Sequence, residues 1–347
     1  KNIGVVTNQT GILSNGTHLV DFLLEQKINV TQIFAPEHGF RGTADAGEHV
    51  ANGKDSKTGL PIISLYGNNK KPKPEQIKDL DIVIFDIQDV GARFYTYIST
   101  LHYVMEACAE AGIPVMVLDR PNPNGTIVDG PVLEPEFKSF VGMHEIPVLH
   151  GMTIGEYAQM INGEKWLEKE IRCKLTVIPC ENYHREMEYS LPVKPSPNLP
   201  NQQAILLYPS ICFFEGTNIS VGRGTNTQFQ VIGGEFKEYG TYEFTPMDMP
   251  GAQNPPLEGK LCYGQDLRKV DALSMQFSLQ FLIDFYKKSP SKNNFFLPTN
   301  HFNLLAGNSW LKEMLVNGAS EEDMRKKWQP ELEKFKLIRN KYLIYAD

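Results

Sequence analysis

The chain has 347 residues, of which 41% are hydrophobic, 10% aromatic and 22% charged, and its formal net charge is −7. A chain of this length can bury a large core and corresponds to one large domain or two of average size. The acidic balance argues against a nucleic-acid partner, and no apolar run approaches the ~18 residues of a membrane span. The sequence therefore predicts a globular protein that neither binds nucleic acid nor spans a membrane.

The first half of the chain alternates short apolar runs rich in Val and Ile with helical stretches. Such runs are typical of strands buried on both faces of a parallel sheet, and the alternation predicts a doubly wound α/β sheet. Gly112 stands where a helix C-terminus favours glycine, and Thr153 with Glu156 forms a capping box. We expect strands at residues 3–7, 30–35, 62–66, 81–86, 114–119 and 172–178, and helices at 17–26, 97–111 and 153–162.

A proline-rich stretch separates this half from the rest of the chain. Four prolines fall between residues 191 and 200, which forces an extended backbone and predicts a domain junction. We therefore expect a first domain at 1–200 and a second domain at 201–347. In the second domain the pattern predicts strands at 204–207 and 228–232, a helix at 274–287 and a mostly helical tail from 309 to 345.

Four of the expected strands in the first half end in polar residues. In an open parallel sheet, ligands bind at the carboxyl ends of the strands, so these endings indicate an active site. Each ending also fits a structural role: a salt-bridged turn for Glu37 and His38, an amide-binding cap for Asp86, or an ion pair between Asp119 and Arg120. The candidate residues are Asn8, Glu37, His38, Asp86, Gln88, Arg93, Tyr95, Asp119, Arg120 and Asn122.

Several common chemistries leave no signature in this sequence. It lacks GxGxxG, GxxxxGK[ST], GxSxG and HExxH motifs, and its five cysteines have no zinc-binding spacing. We therefore expect no cofactor, no metal and mostly buried thiols, with Cys173–Cys180 as the one short bridge to consider. Carboxylates, amides, aromatic rings and arginines together fit a carbohydrate, because they bind hydroxyls, stack on sugar faces and carry out glycosidic chemistry.

Five segments together resemble the NamZ-type exo-β-N-acetylmuramidases. The resemblance implies a Rossmann-like catalytic domain, a smaller α+β C-terminal domain and a cleft between them. It also implies cofactor-free release of N-acetylmuramic acid from the non-reducing end of peptidoglycan fragments, such as MurNAc-GlcNAc, in the periplasm or outside the cell. The segments are VVTNQTG at 5–11, FAPEHGFRG at 34–42, DIQDVGARFYTY at 86–97, LDRPNP at 118–123 and FEGTNISVGRGT at 214–225.

The family and the residues agree on Glu37 as the first catalytic candidate. We expect it to protonate the leaving glycosidic oxygen, with His38 positioning it or binding the sugar. The second role is open among Asp86, Asp119 and Glu215, which could activate water or orient a substrate acetamido nucleophile. A carboxyl separation of about 5–5.5 Å means a protein nucleophile, and one of about 6.5–9.5 Å means inversion through water.

The lactyl carboxylate of muramic acid calls for a cation. Arg93, Arg120 and Arg223 are the candidates, because guanidinium binds carboxylate bidentately, and Arg120 ranks last because Asp119 could occupy it. Two other function classes compete with the muramidase. One is a non-catalytic muropeptide-binding protein, and the other is an esterase or deacetylase that uses His38 with an aspartate. Because the chain begins inside its first expected strand, we expect any export segment to lie outside this sequence.

Overall fold

The computed structural model describes residues 1–40 and 52–346. Arg41 and Gly42, which end the second motif of the resemblance, lie outside the described residues. The strands are β1 (Ile3–Thr7), β2 (Val30–Ala35), β3 (Gly53–Lys54), β4 (Pro61–Ser64), β5 (Ile82–Asp86), β6 (Val115–Leu118), β7 (Val128–Asp129), β8 (Leu149–His150), β9 (Leu175–Ile178), β10 (Val231–Gly234), β11 (Tyr242–Phe244) and β12 (Cys262–Asp266). The α-helices are α1 (Leu19–Glu25), α2 (Pro74–Ile77), α3 (Tyr97–Ala111), α4 (Ile154–Gly163), α5 (Gln202–Ile211), α6 (Ala272–Met275), α7 (Gln280–Lys288), α8 (His301–Ala306), α9 (Trp310–Val316) and α10 (Glu321–Arg339).

A seven-stranded sheet with the order β3-β4-β2-β1-β5-β6-β9 forms the centre of the first half. All neighbours pair in parallel except β3, which runs antiparallel to β4. Counted along the chain, the six parallel strands lie in the order 3-2-1-4-5-6, which is that of a Rossmann-type doubly wound sheet. The predicted fold class is confirmed.

The direction of winding reverses between β1 and β5. Thr7 at the end of β1 pairs with Asp86 at the end of β5, so the loops after these two strands start side by side. Strands β2 and β6 lie directly outside this pair. The four polar strand endings therefore come from four neighbouring strands, and they share one edge of the sheet.

The helices of this half form where the sequence predicts them. The apolar face of α3 is buried along most of its 15 residues, and Gly112 ends it in the left-handed conformation at φ 71°. Helix α4 begins with the predicted capping box, in which Thr153 and Glu156 each bind the other's backbone N–H. Both helices contribute to the large core that also contains the sheet.

The C-terminal part contains a three-stranded antiparallel sheet, β10-β12-β11, together with helices α5 to α10. The smaller α+β unit is therefore confirmed, but one predicted strand is wrong. Residues 204–207 lie inside helix α5, whose N-cap Asn201 accepts a hydrogen bond from the backbone of Ala204. A short apolar run does not distinguish a strand from a buried helix, and the capping asparagine was the missed signal.

Two other expectations for this part need adjustment. The strand expected at 228–232 lies at Val231–Gly234, and the expected helix at 274–287 is divided into α6 and α7.

All five cysteines are free thiols, so no bridge joins Cys173 and Cys180. Among the described residues, the structure contains no helix with the length and apolar character needed to cross a bilayer.

Candidate active site

The loops at the carboxyl edge of the sheet are bound to one another. The Thr10 hydroxyl, after β1, accepts a hydrogen bond from the Gln88 backbone N–H at 3.0 Å. The Gln88 side chain donates to the carbonyl of Pro121, after β6, at 2.7 Å. Arg120 donates in turn to the carbonyl of Ile12 at 3.2 Å. The polar side chains of these loops thus form a rigid rim on which a ligand can be positioned.

The loop after β2 makes a tight turn that presents Glu37. The backbone N–H of Gly39 donates to the Pro36 carbonyl at 3.0 Å, and His38 has a φ of 68°. A positive φ at the third position is that of a type II turn, where glycine or asparagine is usual. A non-glycine residue in this region costs of order 1–3 kcal/mol, and such strain clusters at functional sites. His38 is buried, whereas Glu37 is only partly buried.

Glu37 is held by the start of helix α3. The Thr96 hydroxyl donates to Glu37 Oε2 at 2.9 Å, and the Tyr97 hydroxyl lies 3.4 Å from the Glu37 carbonyl oxygen. Burial, and then the charge of Glu37, raise the pKa of Tyr97, so its phenol remains a donor at neutral pH. Two consecutive residues therefore contact Glu37: Thr96 binds its side chain, and Tyr97 lies against its main-chain carbonyl.

Glu37 faces a cavity with an aromatic wall. The rings of Phe94 and Tyr208 meet edge to face at 5.2 Å, and Tyr208 meets Phe229 in the same way at 5.0 Å. Burial and the neighbouring tyrosines raise the pKa of Tyr95, whose hydroxyl is also buried. The described residues that line the cavity are Glu37, His38, Phe94, Tyr95, Thr96, Ser196, Asn198, Leu199, Tyr208, Arg223 and Phe229.

Arg223 supplies a cation to this cavity from the C-terminal part of the chain. Its Nε donates to Glu215 Oε1 at 2.5 Å, and its guanidinium lies 5.1 Å from the Phe229 ring centre. Burial lowers the pKa of Arg223, but the charge and hydrogen bond of Glu215 outweigh this effect and leave it raised. Both residues also line an adjoining cavity with apolar walls, which include Ile219 and Leu257. A guanidinium has five N–H donors, so Arg223 can bind a second carboxylate besides Glu215.

Asp86 and Asp119 belong to the rim. Asp86 is buried and accepts two hydrogen bonds from Arg120, at 2.6 and 3.0 Å. Asp119 accepts from the Thr153 hydroxyl, the Gly155 backbone N–H and the Tyr345 hydroxyl, each at 2.7 Å. Burial raises the pKa of Asp119, although these hydrogen bonds partly offset it. The ion pair that holds the loop therefore joins Arg120 to Asp86, whereas Asp119 binds the start of α4 and the C-terminal tail.

Arg93 is fully buried and surrounded by carbonyl groups. Its Nη1 donates to the carbonyls of Pro131 and Ile146 at 2.7 and 2.8 Å. Its Nη2 donates to the carbonyls of Leu305 and Ala306, both at 2.8 Å, at the end of helix α8. Burial lowers the pKa of Arg93 to about 9, so the side chain is still charged at neutral pH. Its guanidinium is thus engaged with the backbone of both halves of the chain.

The amide candidates also bind the protein itself. Asn8 Oδ1 accepts from the Thr10 backbone N–H and hydroxyl, at 2.9 and 2.6 Å. Asn122 accepts from the Asn124 backbone N–H at 2.8 Å and donates to the Met152 carbonyl at 2.9 Å. These bonds order the loops after β1 and β6, and both side chains are buried.

The structure thus divides the sequence-predicted residues into two groups. Glu37, His38, Tyr95 and Arg223 line one cavity, with Glu215 bound behind Arg223. Asn8, Asp86, Gln88, Arg93, Asp119, Arg120 and Asn122 are not among the described cavity-lining residues.

Sequence reasoning missed several residues of the cavity wall. Thr96 lies in a recognised motif but received no role, and Ser196 and Asn198 lie in the proline-rich stretch that predicted only a domain junction. The Asn198 amide donates to the Gly251 carbonyl at 2.9 Å. Polar residues among the prolines were the available signal. Tyr208 directly follows the run at 204–207 that was misassigned as a strand.

Comparison with known proteins gives consistent matches along the chain. Residues 3–203 match the family model described as exo-beta-N-acetylmuramidase NamZ, N-terminal, and residues 206–345 match the corresponding C-terminal model. The peptidoglycan beta-N-acetylmuramidase NamZ of Bacillus subtilis (strain 168) is 43% identical over 368 aligned positions, covering 99% of this chain and 87% of the relative.

Two solved structures from Bacteroides fragilis NCTC 9343, both of DUF1343 family proteins, share the fold. The first has a TM-score of 0.92 and 47% identity, and the second has a TM-score of 0.86 and 30% identity. In each case the match covers 100% of this chain and 94% of the other.

Proposed function

The chain belongs to the NamZ family of exo-β-N-acetylmuramidases, and we propose that the cavity beside Glu37 is where it cleaves its substrate. The protein is a glycoside hydrolase that releases N-acetylmuramic acid from the non-reducing end of peptidoglycan fragments. The observation that carries the site assignment is the placement of Glu37. It lines an aromatic-walled cavity together with Arg223, and it lies on a strained turn at the carboxyl edge of the sheet.

Glu37 acts as the general acid. It donates a proton to the glycosidic oxygen as the bond to the anomeric carbon breaks, and the GlcNAc-bearing fragment leaves as an alcohol. His38 is buried on the same turn, where it orients the carboxyl group or binds the sugar. The aromatic rings offer apolar faces to the pyranose. Proton transfer and attack by a nucleophile complete the reaction, so this chemistry requires no cofactor.

Arg223 recognises the lactyl carboxylate that distinguishes muramic acid from N-acetylglucosamine. It is the cavity-lining arginine among the three candidates, whereas Arg93 binds carbonyls and Arg120 binds Asp86. Charge-assisted guanidinium–carboxylate bonds combine strength with geometric selectivity. Glu215 keeps Arg223 in place.

Glu215 is also the preferred second carboxylate. Asp119 already accepts bonds from three side-chain and backbone donors besides Arg120 N–H, and Asp86 is paired bidentately with Arg120. Glu215 instead accepts a hydrogen bond from the cavity-lining Arg223, and it lines the adjoining cavity itself. Loss of kcat in Glu215→Gln with KM nearly unchanged supports Glu215 as the second group, whether it activates water or orients the substrate acetamido group, and a wild-type kcat contradicts that role.

The family models and the location of peptidoglycan also support proposals about the domain division and the place where the enzyme acts. We propose that 1–200 is the catalytic domain and that 201–347 is the domain that closes the cavity. Family models that divide between residues 203 and 206 support a division in this region. Peptidoglycan lies outside the cytoplasmic membrane, so the enzyme acts in the periplasm or the extracellular space. Release of a monosaccharide from fragments suits cell-wall recycling.

The decisive experiment compares the wild type with Glu37→Gln on a chromogenic β-N-acetylmuramide and on MurNAc-GlcNAc, whose sugar leaving group needs a proton. We expect the wild type to cleave both but not the matching N-acetylglucosaminide, and the variant to lose at least about 10²-fold on MurNAc-GlcNAc, as for a missing general acid. Glu75→Gln, in an exposed position of α2, is the matched control. Full activity of Glu37→Gln on MurNAc-GlcNAc contradicts the acid assignment. Tight muropeptide binding without cleavage by the wild type identifies a binding protein instead.

A further inference from the structure

Helix α3 begins beside the Glu37 carboxyl group, and its N-cap residue is Thr96. An N-cap threonine normally turns its hydroxyl back onto the backbone of its own helix. The Thr96 side chain makes no such cap bond, and its hydroxyl donates instead to Glu37 Oε2 at 2.9 Å. The hydroxyl therefore serves the carboxyl group rather than the helix.

We infer that Thr96 is a positioning residue for the proposed reaction, which fixes the orientation of the Glu37 carboxyl group. The inference rests on the proposed role of Glu37. The hydrogen bond from Thr96 to Oε2 fixes the carboxyl plane, since the adjacent Tyr97 contacts the Glu37 carbonyl oxygen and limits movement of its backbone.

Thr96→Val is the direct test. Valine keeps the branched shape and removes the hydroxyl, and no helix cap is lost with it. We expect kcat on MurNAc-GlcNAc to fall about 10-fold with KM nearly unchanged, as expected for one lost bond to a charged group.

Two controls separate positioning from a general effect on α3. Thr96→Ser restores a hydroxyl and should return kcat to wild type. Thr100→Val removes a hydroxyl one turn along the same helix, where it donates to the Thr96 carbonyl at 3.4 Å, and should leave kcat and KM unchanged. Thermal unfolding of each variant checks that the fold is intact.

The experiment distinguishes failure of the positioning role of Thr96 from failure of the acid role of Glu37. A wild-type kcat in Thr96→Val, with Glu37→Gln inactive, overturns the role of Thr96 and leaves the proposed function standing. Full activity in Glu37→Gln overturns the acid assignment on which both depend. An equal loss in Thr96→Val and Thr96→Ser also contradicts the inference, because the hydroxyl would then be irrelevant.

Discussion

Replacement of Arg93 tests whether this arginine holds the fold or binds substrate. The sequence allows either role, but the structure surrounds the guanidinium with four carbonyl oxygens at 2.7–2.8 Å. Two of these carbonyls come from the first half of the chain and two from the end of helix α8. Arg93→Met keeps much of the side-chain volume and removes every donor.

The expected cost is large because Arg93 is completely buried. Hydrogen bonds to charged groups contribute about 1.5–3 kcal/mol each, but removal of the buried charge returns part of its desolvation penalty. We therefore expect a loss of about 3–5 kcal/mol in the free energy of unfolding, the range for breaking a buried charged interaction. For a chain of this length, the average unfolding entropy per residue converts this into a fall of about 4–7 °C in melting temperature.

The assay combines thermal unfolding with steady-state kinetics on the chromogenic muramide. Arg93→Met should unfold earlier, while the folded fraction keeps a wild-type KM, and Arg93→Lys should fall between the two in stability. Wild-type stability together with a KM raised 10-fold or more would refute this reasoning. It would return Arg93 to the list of residues that bind the lactyl carboxylate.

Two further predictions concern substrate selection and acid stability. Arg223→Ala should raise KM for the muramide by about 10-fold or more, as for a lost charge-assisted bond; an unchanged KM contradicts the assignment. Burial lowers the pKa of His144 below its ordinary 6.5, so native His144 is neutral while the unfolded chain takes up a proton as the pH falls below about 6.5. The free energy of unfolding should therefore decrease from pH 7 to pH 5, by up to about 1.4 kcal/mol per unit. His144→Gln should flatten this slope in denaturation experiments, exposed His184→Asn should not, and a wild-type profile without any slope contradicts the prediction.

The regular elements of the first half were predictable because their signals are local. Val and Ile runs between helical stretches predict β1, β2, β5 and β6, and the capping box predicts the start of α4. The helix at 202–211 was missed because the four apolar residues at 204–207 carry no period of their own.

The candidate site was predictable only in part. Glu37 stands out in the sequence because proline and glycine flank it in a polar strand ending. The partner of its carboxyl group, Thr96, lies 59 positions away and gives no sequence signal of that contact. Arg223 and Glu215 were recognised by resemblance, but their pairing at the cavity was not.

The sequence by itself determined the α/β alternation, the edge of the sheet at which polar residues collect, and the prominence of Glu37. These follow from periodicity, strand burial and turn chemistry, which act over a few neighbouring residues. Only the tertiary structure decided that Arg93 binds four carbonyls, that Arg120 pairs with Asp86 and that Arg223 faces the cavity. The same guanidinium group can hold a fold or bind a substrate, and the choice depends on the acceptors that distant parts of the chain bring within hydrogen-bond distance.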